Sequence, residues 1–165
     1  MKRNWIILLG VAMVVLRGCA TAQERAEQRE QMKAAVAEAL ANRRLHIDIT
    51  SMTTLRYGTK TVTSSDFFLE LRGDTLRSDL PYWGQAYQAS IGSPSIGLNF
   101  EAPIRRFSES RPKANKTQMD LEVMTREDTY YYFIEVYDSG ESLIRVRSMN
   151  RDPISFDGRV GEMTE

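Results

Sequence analysis

The chain has 165 residues, and its 22 basic and 22 acidic side chains give a formal net charge of zero. Nucleic-acid binding depends on an excess of basic side chains that neutralise phosphates, so this balance predicts no nucleic-acid partner. The one cysteine excludes an internal disulfide, and the length fits one domain with a hydrophobic core.

The first 18 residues are typical of a bacterial lipoprotein signal peptide. Two cationic residues precede an apolar run over residues 5–16, and Gly18 then precedes Cys19. This run is too short to span a bilayer as a helix, which needs about 20 residues. We predict cleavage after residue 18 and lipid attachment at Cys19. The alternative is an ordinary secreted or uncleaved segment, because Arg17 is unusual so close to such a cysteine.

A polar helix is predicted to connect the lipidated Cys19 to the folded domain, which makes the membrane a partner of the protein. Residues 20–44 contain no proline or glycine and are rich in helix-forming side chains. Residues 19–31 offer almost nothing apolar to bury and are predicted to form a tether, whereas residues 32–165 form a single β-rich domain. The apolar side chains that dock the second half of the helix share one helical face: Met32, Val36, Ala39 and Leu40.

From Leu45 onward, apolar and polar side chains alternate, which is typical of β-strands. Turn-forming residues divide this region into about eight or nine strands, with separate strands expected at residues 96–102 and 104–110. The predicted fold class is mainly β (α+β): an antiparallel sheet that forms a barrel or a sandwich, with one N-terminal helix packed against it. We expect this helix to cover the sheet face that carries Tyr131, Phe133 and Tyr137, and the alternative is a face that is open to a partner.

The dipeptide Gly73-Asp74 is the clearest turn in the chain, because a type II′ turn requires glycine at its first central position. Such a two-residue turn fixes which residues of the two flanking strands lie opposite each other. The predicted pairs are Leu71 with Leu76, Phe67 with Leu80, and Glu70 with Arg77.

Two further hairpins are predicted from the pairing of apolar side chains. A tip at Glu127-Asp128 pairs Val123 with Tyr132, Leu121 with Ile134, and Met119 with Val136. A three-residue loop or glycine bulge after the next strand pairs Val136 with Ile144, Ile134 with Val146, and Glu135 with Arg145. The resulting meander covers residues 117–125, 130–137 and 142–149.

The segment between the first two hairpins concentrates aromatic and turn-forming residues. The characteristic motifs are Leu71-x-Gly73-Asp74, Leu80-Pro81-Tyr82-x-Gly84-x-Ala86-Tyr87, Gly97-Leu98-Asn99-Phe100 and the terminal Ile154-Ser155-Phe156-Asp157-Gly158. With these motifs, residues 34–160 resemble domain of unknown function 4251, a family of small envelope lipoproteins of Gram-negative gut anaerobes. The resemblance implies a lipoprotein and brings no activity with it. Because residues 20–23 lack the acidic cluster of a surface-export signal, we expect the periplasmic face of the outer membrane rather than the cell surface.

The chain offers little for catalysis, and we expect that it is not an enzyme. The single histidine, His46, falls on the polar side of the first strand and is predicted to be exposed or hydrogen-bonded. It has no partner cysteine or second histidine, so we expect no metal, and no motif predicts a cofactor. The carboxylates that could in principle form a hydrolase pair are more simply solvated: Asp48, Asp66, Asp74, Asp79, Glu70 and Glu101.

Residues 81–100 are the predicted functional surface, because a connection of this length that is rich in aromatic side chains is typical of a binding loop. The candidate ligand- or partner-binding residues are Tyr82, Trp83, Tyr87, Asn99 and Phe100. The predicted function is a non-catalytic binding module for a small molecule or glycan. One alternative is a protein-binding accessory factor in envelope assembly or inhibition; another is that the aromatic side chains plug the open end of a barrel.

Overall fold

The structure, a computed structural model, describes residues 2–62, 66–83 and 97–163, with side chains from Ala22 onward. In this part of the chain, one helix is followed by nine strands. Their bounds are α1 (Lys2–Ala41), β1 (Arg44–Thr54), β2 (Gly58–Thr61), β3 (Phe68–Arg72), β4 (Thr75–Leu80), β5 (Leu98–Lys113), β6 (Lys116–Met124), β7 (Thr129–Tyr137), β8 (Glu141–Ser148) and β9 (Ile154–Val160).

Pairing between the first and the last long strands closes the sheet. The strand order is β2-β1-β3-β4-β5-β6-β7-β8-β9, and β9 also pairs antiparallel with β1, from Ile47 opposite Val160 to Thr54 opposite Ile154. Eight strands therefore form a closed antiparallel barrel, and β2 extends the sheet beside β1. The predicted mainly β class with one helix is confirmed, and of the two architectures left open, the structure is the barrel.

The interior of the barrel is filled because apolar side chains alternate along the strands and successive side chains point to opposite faces. On β6 and β7, every second residue is buried. Burial of these side chains is the main favourable contribution to folding. The largest fully buried apolar side chains are Tyr132, Phe156, Leu45, Ile47, Leu69, Leu76, Leu80, Leu98, Met119, Ile134 and Ile144.

The turn between β3 and β4 has the predicted geometry. Gly73 has a φ of 60°, whereas Asp74 is not among the residues with positive φ, as a type II′ turn requires. The predicted pairs of Leu71 with Leu76 and of Glu70 with Arg77 are confirmed. The sequence of the turn therefore determines the register of this hairpin.

The predicted register between β6 and β7 is wrong by two residues. Val123 lies opposite Tyr130 and Leu121 opposite Tyr132, instead of opposite Tyr132 and Ile134. The connecting loop has four residues rather than two, because the Thr125 hydroxyl accepts hydrogen bonds from the main-chain N–H groups of residues 127 and 128 at 3.2 and 3.1 Å. A shift by an even number leaves the same side chains inside the barrel.

The register between β7 and β8 is also shifted by two residues. Ile134 lies opposite Ile144, and Val136 opposite Ser142, whereas the sequence predicted Val136 opposite Ile144. The three-residue loop itself was predicted, but it begins one residue earlier, after Tyr137. Gly140 at its end has a φ of 82°, and this positive φ is typical of the glycine in such a loop.

One long strand replaces the two separate strands predicted at residues 96–102 and 104–110. Residues Leu98–Pro103 of β5 pair with β4, and the pairing with β6 begins at Ile104. An irregularity between Ile104 and Arg106 marks the change of partner. β5 therefore bends from one neighbour to the other and contributes to the curvature of the barrel.

The second half of α1 crosses one mouth of the barrel. Met32 lies against Gly140 in the β7–β8 loop, so that a Cβ added to Gly140 would be 2.9 Å from the Met32 sulfur. At the other end of this half, the Arg43 carbonyl accepts a hydrogen bond of 2.8 Å from the Gly73 N–H. These two loops lie on opposite sides of the ring of strands, and Val36 between them is buried in the core. We call this mouth the helix end and the opposite mouth the distal end.

The expectation that α1 covers the outer face of β7 is wrong. α1 lies across the helix end instead, and Tyr131 on that outer face is 40% exposed. Within the described ranges, no helix combines the length and the apolar character needed to cross a membrane.

Candidate functional site

Most of the predicted binding residues lie together at the distal end of the barrel. Four loops meet there: residues 55–57 between β1 and β2, the segment after β4, residues 125–128 between β6 and β7, and residues 149–153 between β8 and β9. Tyr82 and Trp83 follow β4, and Asn99 and Phe100 are at the start of β5. Tyr87 lies outside the described residues.

Tyr82 is part of the core at this end. Its side chain is 5% exposed, and its hydroxyl donates a hydrogen bond of 3.2 Å to the carbonyl of Asp152 in the β8–β9 loop. A buried aromatic ring whose polar tip is hydrogen-bonded is a packing element that closes the mouth.

Trp83, the next residue, lies on the surface. It is 50% exposed, and the Lys60 ammonium is 3.6 Å from the centroid of its ring, a cation–π contact that joins β2 to the segment after β4. The cavity beside Trp83 has a volume of only about 10 Å³. This volume is about that of one water, so among the described residues the cavity beside Trp83 holds no small-molecule ligand.

Arg151 connects three parts of the distal end. Its guanidinium donates to the Gly97 carbonyl at 3.3 Å, lies 3.7 Å from the Glu127 carboxylate, and covers the Tyr82 ring at 5.1 Å from the centroid. The side chain is only 14% exposed, so these contacts are partly shielded from solvent. Arg151 therefore fixes the position of the β6–β7 loop relative to the start of β5.

A cleft of about 570 Å³ opens between the start of β5 and the β6–β7 loop. We call it the β5 cleft. Phe100 and Tyr130 line it and stack on each other, with ring centroids 5.1 Å apart and planes inclined by 17°. Glu101 stands on the β5 side and Arg126 on the loop side. Glu127, which is paired with Arg151, also lines the cleft, so the cleft combines an apolar floor with two carboxylates and one guanidinium.

Asn99 and Phe100 both line the β5 cleft, but they face different sides of β5. Asn99 is exposed; with its amide nitrogen turned toward β4, it donates to the Asp79 carboxylate and the Leu80 carbonyl, both at 3.2 Å. Phe100 is half-buried and also contacts Tyr132 edge to face, at 6.4 Å between centroids. The structure therefore brings these two predicted residues into one cleft and places Trp83 beside a different one.

Two tyrosines below the cleft are held in their neutral form. Burial raises the pKa of Tyr130 and, more strongly, the pKa of Tyr132. The Tyr132 hydroxyl donates to Ser78 Oγ at 3.1 Å, and Ser78 donates to the Leu98 carbonyl at 2.7 Å. These groups tie β7, β4 and β5 together and supply no charge to the cleft.

Among the described residues, the distal end also carries most of the large exposed apolar side chains, of which only Trp83 was predicted from the sequence as a binding residue. Of seven large exposed apolar side chains among the described residues, five lie in or beside the distal loops. Leu55 is 75% and Met149 83% exposed. We call the five residues the distal rim: Leu55, Tyr57, Trp83, Met124 and Met149.

His46 and Glu70 form a separate buried cluster on the outer wall. His46 is hydrogen-bonded as predicted, with Nε2 3.1 Å from Asp48 Oδ1, but it is buried rather than exposed. Its ring stacks on Phe68, and Nδ1 is 3.6 Å from the Glu70 carboxylate. Arg72 contacts both oxygens of Glu70, at 3.0 and 2.9 Å, and this contact raises the pKa of Arg72.

This cluster has a structural explanation and no visible ligand site. The carboxylate of Glu70 is compensated by Arg72 on the same strand, as a buried charge requires. Of the other carboxylates that were considered for a hydrolase pair, Asp74 pairs with Arg43 at 3.1 Å beside the β3–β4 turn. Among the residues with described side chains, no group of three His, Cys, Asp or Glu side chains is placed to hold a metal ion.

Comparison with known proteins identifies a family and a fold. The family described as "Domain of unknown function (DUF4251)" matches residues 27–160. The chain is similar to a crystal structure of a DUF4251 family protein from Bacteroides eggerthii DSM 20697, with a TM-score of 0.60 and 13% identity, over 78% of this chain and 86% of that one. No curated protein matches the sequence. At this identity the likeness concerns the fold alone, but the family match covers most of the chain: the protein belongs to the DUF4251 family.

Proposed function

We propose that this protein is a lipid-anchored, non-catalytic binding module that docks a protein partner on the distal rim. Attachment through Cys19 would hold the barrel at the periplasmic face of the outer membrane, as the sequence predicts. The observation that carries the proposal is the concentration of exposed apolar side chains at one end of the barrel. Soluble proteins expose single apolar residues everywhere, but a cluster of them marks an interaction surface.

The position of α1 supports a partner away from the membrane. The predicted lipid site precedes the part of α1 that crosses the helix end, and the 13 residues of the predicted tether, 19–31, would span roughly 20 Å as a helix. The distal rim is at the opposite end of the barrel from this tether. An apolar rim in that position would face the periplasm, where it meets proteins rather than acyl chains.

The composition of the rim also fits a protein interface. Trp, Tyr and Met are enriched at the centres of such interfaces, and the rim contains Trp83, Tyr57 and two methionines. Arg151 and Lys60 hold two of the rim segments in place. A surface that is fixed before binding loses less conformational entropy when the partner docks.

A small molecule or glycan is the second candidate, and the β5 cleft supports it. Its volume of about 570 Å³ lies within the range of roughly 300 to 1,000 Å³ that is usual for ligand sites. The Phe100–Tyr130 floor and the charged groups of Glu101 and Arg126 are of the kinds that bind a sugar. The test is a saccharide added to the full chain. A higher melting temperature for the wild type and for the control variant Glu109→Ala, but not for Glu101→Ala, would favour this candidate.

The test of the protein-docking proposal is photo-cross-linking in the native bacterium. A benzoylphenylalanine replaces Trp83 or Met149 on the rim, or Tyr131 on the outer wall as the matched exposed aromatic control. We expect one identified envelope protein to attach at both rim positions and not at Tyr131. When purified, that protein should bind the full chain, and Trp83→Ala should weaken binding at least tenfold, which is about 1.4 kcal/mol.

Two results would contradict the docking proposal. One is the absence of a protein adduct at both rim positions. The other is an adduct of equal yield at Tyr131, because that result would mean random collision rather than docking on the rim.

A further inference from the structure

We propose that the partner inserts an extended peptide segment into the β5 cleft, where it adds a strand to the free edge of β5. This inference rests on the proposed protein docking and specifies its chemistry. Addition of a strand to an exposed sheet edge is a common way for a folded domain to bind a peptide, because main-chain groups supply the hydrogen bonds.

In the described part of the chain, the first part of β5 has a strand neighbour on one side only. Residues 98–103 pair with β4, and the pairing with β6 begins at Ile104. Among the described residues, no strand lies along the other edge of residues 98–102. The β5 cleft occupies the place of the missing neighbour, with Met124 and Arg126 on its far side. Alternate main-chain groups of a strand point to each edge, so those on this edge face the cleft.

The two parts of β5 differ in how their free edges are protected against the addition of a strand. Within the described ranges, no strand lies along one side of residues 105–113 either, since β4 begins opposite Pro103. That stretch carries the residue types by which proteins block the addition of a strand to an edge. They are Arg105, Arg106, Arg111, Pro112 and Lys113. Residues 98–102 contain no lysine, arginine or proline and one charged residue, Glu101, so the free edge of the first part of β5 is the less protected of the two.

The size of the cleft fits a short strand. One residue of a strand advances about 3.3 Å, and with neighbours about 4.8 Å away and sheets about 10 Å apart, it occupies roughly 160 Å³. At roughly 160 Å³ per residue, the cleft of about 570 Å³ therefore holds three to four residues of a strand. The stretch of β5 that borders the cleft, residues 98–102, is five residues long, so a strand in the cleft would lie along most of it.

The side chains around the cleft indicate the chemistry of the peptide. Phe100 faces the interior and stacks on Tyr130, whereas Glu101 faces outward. On an added strand, residues that share the face of Phe100 would pack on this aromatic floor, and the intervening residues would lie near Glu101. The geometry fits a segment with apolar residues at alternate positions and a cationic residue between them.

The test uses heptapeptides displayed on phage and selected on the immobilised full chain in detergent. The strongest binder is then synthesised in three forms: unmodified, N-methylated at the odd residues, and N-methylated at the even residues. Only one set of amides can donate to the edge of β5. We expect one methylated form to lose binding at least tenfold and the other to stay within threefold of the unmodified peptide.

A matched pair of variants locates the site. Glu101→Lys places a cation on the open edge, and Glu109→Lys makes the same change at an exposed position on the protected part of the same strand. We expect the first variant to weaken the peptide at least tenfold and the second to leave it unchanged, with equal melting temperatures as the check on folding.

Strand addition would be overturned if no peptide is selected, if the two methylated forms have equal effects, or if the two variants have equal effects. If the rim still cross-links to its partner in any of these cases, protein docking stands and only its strand chemistry is wrong. Failure of the cross-linking as well would overturn both. Displacement of the selected peptide by a simple sugar would identify the cleft as a saccharide site and would likewise overturn strand addition.

Discussion

The guanidinium of Arg151 lies over the ring of Tyr82, with 5.1 Å between Cζ and the ring centroid. The ring is buried, and its hydroxyl donates a hydrogen bond to the main-chain carbonyl of Asp152, the residue after Arg151. The β8–β9 loop therefore holds Tyr82 from two sides, while the neighbouring Trp83 is left on the surface. Two adjacent aromatic residues thus have different roles, one in closing the barrel and one on the distal rim.

Single alanine substitutions should separate these roles. Tyr82→Ala removes a buried ring and should lower the free energy of unfolding by about 3 kcal/mol or more. Trp83→Ala removes a half-exposed ring and should lower it by less than about 1 kcal/mol. Urea unfolding of the full chain in detergent measures both. Equal losses for the two variants would contradict the assignment of Tyr82 to the plug and Trp83 to the surface.

Gly73→Val should destabilise the β3–β4 hairpin. The φ of 60° at Gly73 is unfavourable for a β-branched side chain, so we expect a loss of about 1 kcal/mol or more. Thr75→Val is the control, because it introduces the same side chain two residues later in a normal strand conformation. An unchanged unfolding midpoint for Gly73→Val would show that the turn does not need a glycine.

The stability of the barrel should fall at alkaline pH because of Tyr132. Burial raises the pKa of this phenol above its ordinary value of about 10, so the folded state retains the proton more tightly than the unfolded chain. The stabilisation is present in full below about pH 10 and is lost as the pH rises further, by up to ~1.4 kcal/mol per pH unit.

Tyr132→Phe removes this titration. We expect the variant to be less stable than the wild type at pH 7, by about 1 kcal/mol for the lost hydrogen bond to Ser78, and to show a shallower decline above pH 10. Urea midpoints between pH 7 and 11 give both slopes. If the urea midpoints of the wild type and of Tyr132→Phe fell equally above pH 10, ionisation of Tyr132 would not be a cause of the lost stability.

Cys19→Ala should release the protein from the membrane. A multiply acylated cysteine anchors a protein stably, and Cys19 is the only cysteine of the chain. Metabolic labelling with a fatty acid should mark the wild type and not the variant, and only the wild type should sediment with the outer membrane. A wild-type protein that takes up no label and fractionates as soluble would show that Arg17 prevents processing.

The parts of the fold that depend on neighbouring residues could be predicted from the sequence. Gly73-Asp74 determined one hairpin register, because the φ of a single residue decides it. The β6–β7 register was missed by two residues because the Thr125 hydroxyl organises a longer loop, a choice that apolar pairing cannot detect. The shift kept the same face inside, so the alternation of side chains predicted the core correctly.

Features that depend on distant parts of the chain could not be predicted. The pairing of β9 with β1 closes the barrel across more than a hundred residues, and no local pattern distinguishes it from a sandwich. The same is true of the free edge of β5, because it results from the change of partner at Ile104. The rim residue Met149 was overlooked because a single apolar residue in a turn is common, and only the closed barrel groups it with Leu55 and Trp83.

Amide hydrogen exchange of the full chain in detergent, with and without the purified cross-linked partner, tests the central claim most directly. If the partner docks on the distal rim and enters the β5 cleft, exchange should slow at residues 98–102 and 124–127 and stay unchanged at residues 105–113. Slower exchange on the outer face of β7 around Tyr131, with no change at residues 98–102 and 124–127, would contradict the account and place the partner on the wall of the barrel.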